Sequence, residues 1–464
     1  MDIKTAPGFG AGSRITESSP LPPHQSLQMG QWVKLICGAS YQDMPTVRRL
    51  VMLYALAGVD CIDVAADGAV VAAARQGLED AVRLAGYLSD RAASPEASRS
   101  EIRSHLLPGL PWLMVSLNDS EDPHFRKAHF DAAHCPPECD RPCEPICPTA
   151  AIQFQAPQIG GVATDLCYGC GRCIAVCPVS NIDARPYLAS PEAFSADQRS
   201  QIDAIEIHTQ TGHQAQFAEL WQRLEPWRPH LKLISISCPD HDDVVAYLRD
   251  LYALMAPLDL PLIWQTDGRP MSGDLGKGTT HAAIRLAQKI LDAGLPGYVQ
   301  PAGGTNGYTV SKLINLGLVN KASAAAQLND FRPDGFHSDS KAGPMDGPQA
   351  GSKADLRTGA VPQSAGFTQP GKTIAGIAYG SYGRSQVLPL LDAIDHELRP
   401  WLGNASLDQD SPGQWTQPGS SRVTASVAPW HQLDESALGQ GLTLARQLVG
   451  QLKFERHLLP TQYG

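Results

Sequence analysis

The sequence is poor in aromatic residues and in positive charge. Only 6% of its 464 residues are aromatic and 18% are charged, and 37 Lys plus Arg stand against 47 Asp plus Glu, a formal net charge of -10. Proteins that bind nucleic acid or anionic membranes through electrostatics carry basic surfaces, so this balance disfavours both classes. The few aromatic residues also give no pattern for stacking on bases. We therefore expect no nucleic-acid partner.

Long apolar runs are also missing. A membrane-spanning helix needs about 18 to 20 consecutive apolar residues, whereas the most apolar region, residues 51–74, is interrupted by Asp60, Asp63 and Asp67. Residues 1–30 are polar and rich in Pro, Gly and Ser, without the basic stretch and apolar run of a signal peptide. We expect a flexible N-terminal segment over 1–30, no membrane insertion and a cytoplasmic protein.

The rest of the chain has the pattern of an α/β fold. Short runs rich in Val, Ile and Leu alternate with amphipathic segments of helix length, which is typical of parallel strands buried on both faces. Eight runs are predicted to be strands: 33–37, 60–65, 112–117, 204–208, 232–237, 262–265, 297–299 and 374–378. This number favours a (β/α)8 barrel, and the same alternation leaves an open doubly wound sheet as the alternative.

Two segments interrupt this pattern. Residues 330–372 are dense in Gly, Pro and Ser and predict a flexible insertion. The tail after Trp401 is similar until a leucine stripe from Leu438 to Leu452 predicts one helix. The expected organisation is a flexible segment at 1–30, barrel parts at 31–130, 184–329 and 373–400, an inserted domain at 131–183, the flexible insertion at 330–372 and a C-terminal tail at 401–464.

Eight of the eleven cysteines lie between Cys135 and Cys177, in two regularly spaced groups. The second group has gaps of two, two and three residues and ends in Cys-Pro: Cys167, Cys170, Cys173 and Cys177. Bacterial-type ferredoxins use this spacing to bind a [4Fe-4S] cluster, and their fourth Cys ligates the other cluster of the pair. The first group has gaps of three residues throughout and also ends in Cys-Pro: Cys135, Cys139, Cys143 and Cys147.

In ferredoxins with two clusters, the fourth cysteine of each group ligates the cluster of the other group. Applied here, this rule gives two crossed ligand sets. One set is Cys135, Cys139, Cys143 and Cys177, and the other is Cys147, Cys167, Cys170 and Cys173. The longer gaps of the first group leave three alternatives for its cluster: a [4Fe-4S] cube with looser loops, a labile cube that loses iron to become [3Fe-4S], or a structural zinc site. We expect two clusters, because the first group retains its Cys-Pro pair.

These cysteines predict a complete two-cluster ferredoxin domain over residues 131–183. The stretch 150–154 resembles the short strand that connects the halves of such a domain, and residues 162–165 would be its partner. The domain would be inserted after the third barrel strand. Loops that follow strands emerge on the C-terminal face of a barrel, where sites are built, so the clusters should lie near the barrel mouth.

Glycines follow the seventh and eighth predicted strands. Gly303, Gly304 and Thr305 follow one, and Gly380 and Ser381 follow the other. In many barrels these two loops bind phosphate through backbone N–H groups, which predicts FMN or another phosphorylated ligand with Lys277 or Arg384 as its charge partner. The alternative is that these glycines only serve tight turns.

Four further residues have less specific roles. Cys37, Cys61 and Cys238 are predicted to be buried strand cysteines. His208 closes a strand, and it is either a base or ligand contact or a structural histidine with satisfied hydrogen bonds.

Several stretches together resemble a known family. Besides the two cysteine groups, they are KLICGASYQDMPTVRRLVMLYALAGVDCIDVAAD, IEIHTQTGH, WQTDGRPMSGDLGKGTTHAAI, VQPAGGTNGYTVSKL and AGIAYGSYGR. They resemble the light-dependent period protein A (LdpA) family of oxygenic phototrophs, over most of residues 32–320 and 374–395. The resemblance implies an iron-sulfur redox protein on the input side of the cyanobacterial circadian clock that adjusts the period to the redox state and associates with clock components. It carries ligand roles to the eight grouped cysteines only.

Two functions from different classes follow. The first is a redox sensor with two clusters. Gain or loss of an electron by a cluster would change how the inserted cluster domain is arranged against the barrel mouth. The second is an iron-sulfur, flavin-dependent oxidoreductase whose clusters supply electrons to a phosphorylated cofactor at the barrel mouth. Bound flavin would separate the two functions, and iron with acid-labile sulfide would exclude a zinc module.

Overall fold

The computed structural model describes most of the chain outside its two ends and a central insertion. The described residues are 21–37, 43–92, 109–122, 125–147, 149–154, 160–164, 166–268, 279–320, 372–402 and 436–453. The predicted flexible insertion, apart from Lys372, and the candidate charge partner Lys277 lie outside them.

Eight parallel strands form the main sheet, and the ends of each lie within three residues of those predicted. They are β1 (Trp32–Ile36), β2 (Cys61–Ala65), β3 (Trp112–Asn118), β8 (Ala204–His208), β9 (Leu233–Pro239), β10 (Leu262–Asp267), β11 (Tyr298–Ala302) and β12 (Gly376–Tyr379). Four shorter strands between β3 and β8 belong to the inserted segment: β4 (Arg126–His129), β5 (Ile152–Gln153), β6 (Gly161–Val162) and β7 (Asp183–Pro186).

The main sheet is nearly closed and barrel-like. Its strand order is β11-β10-β9-β8-β3-β2-β1-β12, so neighbours in the sheet follow the chain without the reversal of a doubly wound sheet. β12 returns beside β1, where Trp32 pairs with Gly376. Across the last seam, Ala375 N donates to Val299 O at 2.9 Å. The barrel prediction is therefore confirmed at this level.

Twelve helices are described, and most of them cover the outside of the sheet and bury its apolar outer face; Pro23–Met29 packs under the barrel and Arg172–Val176 lies in the segment that carries the cysteines. They are Pro23–Met29, Met44–Leu56, Gly68–Ala92, Arg172–Val176, Ala196–Ser200, Gln214–Arg223, Val244–Met255, Thr280–Ala293, Thr309–Asn315, Ser381–Val387, Leu391–Leu402 and Ala437–Val449. The C-terminal helix predicted from the leucine stripe is present and buries Leu438, Leu442 and Leu448. Residues 23–29 depart from the flexible segment predicted for 1–30, because they form a short helix that buries Leu27 under the barrel. No helix among the described residues is long and apolar enough to cross a membrane.

Two layers of different character fill the barrel. The lower layer is apolar and contains Trp32, Cys61, Met114, Ala204, Leu233 and Ile263. Two residues further along their strands, buried polar side chains form the next layer: Lys34, Asp63, Ser116, Glu206, Ser235, Gln265 and, from β11, Gln300. Barrel interiors are usually filled by branched apolar side chains, so this polar layer is a departure that the apolar strand patterns did not predict.

Candidate metal centre

The eight grouped cysteines lie in a segment that leaves and re-enters the barrel at one place. β4 leaves after β3, and β7 returns before β8 and pairs with β4 antiparallel. Asn118, the last residue of β3, clamps the base: its amide Nδ2 donates to Ser120 O and Tyr187 O, both at 2.8 Å, and its Oδ1 accepts from Ala189 N at 2.9 Å. β5 and β6 form the small antiparallel pair predicted between the two cysteine groups.

The cysteines of the second group surround a cavity together with one cysteine of the first. Cys147, Cys167, Cys170 and Cys173 line it, and Ile152, Val162 and Tyr168 supply apolar walls. Burial, and then the neighbouring charges of Cys170, Cys167 and Cys147, raises the pKa of the Cys173 thiol to about 12. Four thiolates this close repel one another, so the arrangement favours a bound cation or a metal cluster that offsets their charge.

The remaining four cysteines also group together. Burial raises the pKa of Cys143, and the charges of Cys135, Cys177 and Cys139 raise it further. Asn181 Nδ2 lies 3.9 Å from Cys135 Sγ, while Asn181 N donates to Cys177 Sγ at 3.2 Å. Cys177 therefore lies with the first group, as Cys147 lies with the second.

The two Cys-Pro turns have matching geometry. In each turn, the backbone N–H four residues after the cysteine donates to its sulfur at 3.2 Å, from Ala151 to Cys147 and from Asn181 to Cys177. The residue before each donor has a positive φ, 51° at Ala150 and 53° at Ser180. Such N–H groups stabilise a negatively charged sulfur. At Cys177 burial raises the thiol pKa, but backbone N–H donors outweigh this and lower it overall.

The donor set fits iron-sulfur clusters by its chemistry. Six of the eight cysteines, all except Cys139 and Cys170, lie in a small apolar core with Phe130, Ala151, Ile152 and Ile182, which limits the access of water to these sulfur ligands. Within the described ranges, no three His, Cys, Asp or Glu side chains are arranged to hold a single metal ion. The assignment therefore depends on the cysteine spacing, the lined cavity and the paired turns.

The predicted phosphate loops are brought together at the barrel rim. Thr305 Oγ1 donates to Ala378 O at 2.5 Å and so joins the loop after β11 to β12. Gly303 and Gly304 have φ of 59° and 102°, and a Cβ on Gly304 would lie 2.7 Å from Thr279 O. Glycine is therefore needed at position 304 for the turn and for contact with protein backbone.

Gly380 and Ser381 begin the helix Ser381–Val387 on the same rim. Arg384 Nη1 donates to Ile36 O at 2.8 Å, and Nη2 donates to Ser381 Oγ at 3.2 Å. The guanidinium of this candidate charge partner is thus directed at the rim of the barrel. Burial lowers the pKa of Arg384. Cys37, Cys61 and Cys238 are buried, as predicted.

The polar layer inside the barrel was missed by sequence reasoning. Lys34 Nζ donates to Glu206 Oε2 and lies 3.5 Å from Asp63 Oδ2, with both lysine and glutamate side chains fully buried. Burial would lower the pKa of Lys34, but Glu206 and Asp63 raise it above its usual range. Burial raises the pKa of Asp63 to about 6, and Lys34 opposes this. For Glu206 the effect of burial is outweighed by Lys34 and His208, which lower its pKa to about 2.

His208 lies above this layer at the barrel mouth. Its Nε2 is 3.3 Å from Glu206 Oε1, and its Nδ1 is 3.2 Å from Asp122 Oδ2. Burial would lower the pKa of His208, but the hydrogen bonds to the two carboxylates raise it well above its usual value. The two carboxylates therefore favour the protonated imidazole, with both ring nitrogens engaged. The sequence offered one signal: Lys34 and Glu206 are charged residues within runs predicted to be buried strands. This signal indicates buried charge but does not identify the partners.

Comparisons with known proteins agree with the cysteine assignment. The domain family described as the LdpA Fe-S cluster-binding domain matches residues 135–188. The family described as the Light dependent period A C-terminal domain matches residues 198–451. The curated protein Light dependent period A of Synechococcus elongatus is 52% identical over 298 residues, which cover 64% of this chain and 77% of that relative. The chain therefore belongs to the light dependent period A family and contains its iron-sulfur cluster-binding domain.

Proposed function

We propose that the chain is a redox-responsive protein that holds two [4Fe-4S] clusters in an inserted ferredoxin-like domain. The single observation that carries this proposal is the cavity lined by Cys147 together with Cys167, Cys170 and Cys173. Two separate sites, each made from one cysteine group, would not bring Cys147 to the second group. Crossed ligands of this kind are typical of ferredoxins with two clusters.

Each cluster, when bound, supplies storage for one electron at a potential set by charge, hydrogen bonds to sulfur and exposure. The chain's residues control these quantities. The Ala151 and Asn181 N–H groups donate to ligand sulfurs and favour the more negative, reduced state. The apolar side chains of Phe130, Ile152 and Ile182 exclude water from the same sulfurs and oppose added negative charge.

The physiological role that we propose is to report the redox state of the cell to the circadian clock and to modulate its period. The curated relative is named Light dependent period A, and that name supports this role. Clock components in the cytoplasm are the partners that we propose.

The proposal is tested on the full chain purified without oxygen. We expect a broad sulfur-to-iron absorption that bleaches with dithionite, and about eight iron and eight sulfide per chain, since each cube contains four of each. Cys139→Ser and Cys170→Ser should each remove one cluster and about half of the iron. We call residues 131–183 the cluster segment. Cys238→Ser, in a buried strand outside it, is the matched control and should retain all of the iron. A colourless zinc protein, or unchanged iron in Cys139→Ser, would contradict the proposal.

The second candidate is an iron-sulfur oxidoreductase with FMN or another phosphorylated cofactor at the barrel mouth. One observation favours it: the barrel interior below the mouth is polar and charged rather than filled with apolar side chains. The glycines at 303 and 304 support it less, because the turn itself requires Gly304. Flavin bands that remain in solution after acid precipitation of the protein would establish this candidate, and a spectrum with cluster absorption alone would reject it.

A further inference from the structure

Lys127 joins the cluster segment to the barrel. It lies on β4, where its Nζ donates to Thr164 O at 2.6 Å, three residues before Cys167. The same Nζ is 3.7 Å from Asp67 Oδ2 and 4.6 Å from the centre of the Tyr187 ring. The Lys127 side chain is 14% exposed and that of Asp67 is 9% exposed. Because both are largely shielded from water, their interaction is screened much less than a surface ion pair.

Asp67 belongs to the barrel and uses its two carboxylate oxygens differently. It follows β2, and its Oδ1 accepts from Ala69 N at 3.0 Å in the first turn of the helix Gly68–Ala92. Its Oδ2 faces Lys127. One carboxylate therefore connects the start of a barrel helix with the lysine that holds the loop before Cys167.

The second cysteine group makes other contacts with the barrel. Tyr168 is 4% exposed and packs in the main hydrophobic core rather than in the core of the cluster segment. Arg172, between Cys170 and Cys173, contacts Asp43, which caps the helix Met44–Leu56. The loop that carries Cys167, Cys170 and Cys173 is thus held against the ends of β1 and β2.

We infer that Lys127 and Asp67 are positioning residues that couple the charge of the second cluster, held by Cys147, Cys167, Cys170 and Cys173, to the barrel. This inference rests on the proposed function. An electron added to that cluster attracts Lys127 more strongly toward the Thr164 loop and weakens its pairing with Asp67. Linkage is reciprocal, so Lys127 and Asp67 in turn set the potential at which the cluster accepts the electron.

The two residues should shift that potential in opposite directions. Lys127 favours the reduced, more negative cluster, so Lys127→Met should lower the potential. Asp67 opposes the reduced cluster, so Asp67→Asn should raise it. We expect each change to alter the ratio of reduced to oxidised cluster at a fixed potential by about three- to tenfold, or about 30 to 60 mV at 59 mV per tenfold for one electron.

The experiment is a redox titration of the full, anaerobically purified chain, followed by electron paramagnetic resonance. Cys139→Ser, which lacks the first cluster, assigns the signals. Lys127→Arg keeps the positive charge and should retain the wild-type potential. Arg185→Gln is the matched control, because Arg185 pairs with Lys127 across the β4–β7 ladder but its side chain is 58% exposed and pairs with Asp183. It should alter the ratio by less than about twofold, since solvent screens it.

A second measurement follows the barrel itself. Hydrogen exchange at the Ala69 amide, which donates to Asp67, should change in the wild type when the second cluster is reduced, and Asp67→Asn should abolish this dependence on redox state. This measurement also applies if Lys127→Met binds too little iron for titration.

The outcomes separate the inference from the function on which it rests. A wild type without iron-sulfur signals would overturn both. The clusters could be intact while both variants change the ratio of reduced to oxidised second cluster by less than twofold, or shift its potential in the same direction. Either result would overturn the coupling and leave the two-cluster function standing. A shift of both clusters by equal amounts would also overturn it, because the inference assigns the effect to the second cluster.

Discussion

Replacing Glu206 with Gln should strongly destabilise the barrel. Glu206 accepts hydrogen bonds from Ser235 Oγ and Gln265 Nε2, both at 2.7 Å, and pairs with Lys34 and His208. Gln has nearly the same volume, so the substitution creates no cavity. It removes the negative charge that balances the Lys34 ammonium, whose side chain is fully buried. It also places an amide NH2 group among side chains that already donate to this position.

The expected loss follows from the uncompensated charge. Removing one partner of a buried ion pair costs about 3 to 5 kcal/mol, because the other charge remains desolvated. After the substitution Lys34 still has the Asp63 carboxylate at 3.5 Å and Met114 Sδ at 3.6 Å, so we expect a loss toward the lower end of that range. A protein of ordinary stability has about 5 to 15 kcal/mol in total, so the variant should unfold at a much lower urea concentration.

The assay is urea unfolding of the full chain followed by tryptophan emission. None of the eight tryptophans lies in residues 131–183, so that segment contributes no tryptophan emission of its own. Glu192→Gln is the matched control, because it removes a carboxylate from the exposed Arg223 pair and should cost less than about 1 kcal/mol. The double variant Lys34→Met with Glu206→Gln should lose less than the sum of the two single losses, since the two partners of the pair are then removed together. A Glu206→Gln loss below about 1 kcal/mol, equal to the control, would refute the reasoning.

Three further predictions test other parts of the fold. Gly304→Ala should lower the free energy of unfolding in urea by about 2 to 3 kcal/mol, and Gly212→Ala by about 1 kcal/mol. Both glycines have a positive φ, but only at position 304 would a Cβ lie against the Thr279 carbonyl. Equal losses would show that the close contact is unimportant. Asn118→Ala removes the three hydrogen bonds at the base of the cluster segment. Protease cleavage within that segment should become at least severalfold faster, while the barrel remains resistant. An unchanged cleavage rate would contradict the role of Asn118. Burial raises the pKa of Asp63 from 3.8 to about 6, so the folded state binds an extra proton between those values and this group's contribution to stability falls as pH rises through that window. Asp63→Asn should remove that fall when urea midpoints are compared at about pH 5 and pH 7, and an identical pH dependence in both proteins would refute the assignment.

The barrel could be predicted from the sequence because its strands are buried on both faces. Most of the eight strands are short runs rich in Val, Ile and Leu, and such runs are typical of strands buried on both faces. The cysteine groups were equally informative, since their spacing alone predicted that Cys147 leaves its own group, and the structure places it beside Cys167, Cys170 and Cys173.

The polar layer inside the barrel could not be read in the same way. Lys34 and Glu206 each lie in the middle of a short strand, where a single charged residue is usually taken for one that faces solvent. They meet only because β1 and β8 lie in the same barrel, separated by 172 positions in sequence. No local pattern reports a contact at that distance. The helix Pro23–Met29 was missed for a related reason, because its burial depends on Leu27 packing under the barrel.

The place of the insertion determines which part of the barrel the proposed clusters would influence. Three neighbouring strand ends contact the inserted segment: Asp43 after β1 meets Arg172, Asp67 after β2 meets Lys127, and Asn118 ends β3 itself. Charge added near Cys167 therefore acts on the rim of β1 to β3 before it reaches any other part of the barrel. Directly below that rim lie Lys34 of β1 and Asp63 of β2, which form one ion-paired group with Glu206. A buried group of opposite charges has few alternative arrangements, so we expect the interior to resist any displacement of the rim and the helix starts at Asp43 and Asp67 to take up most of it.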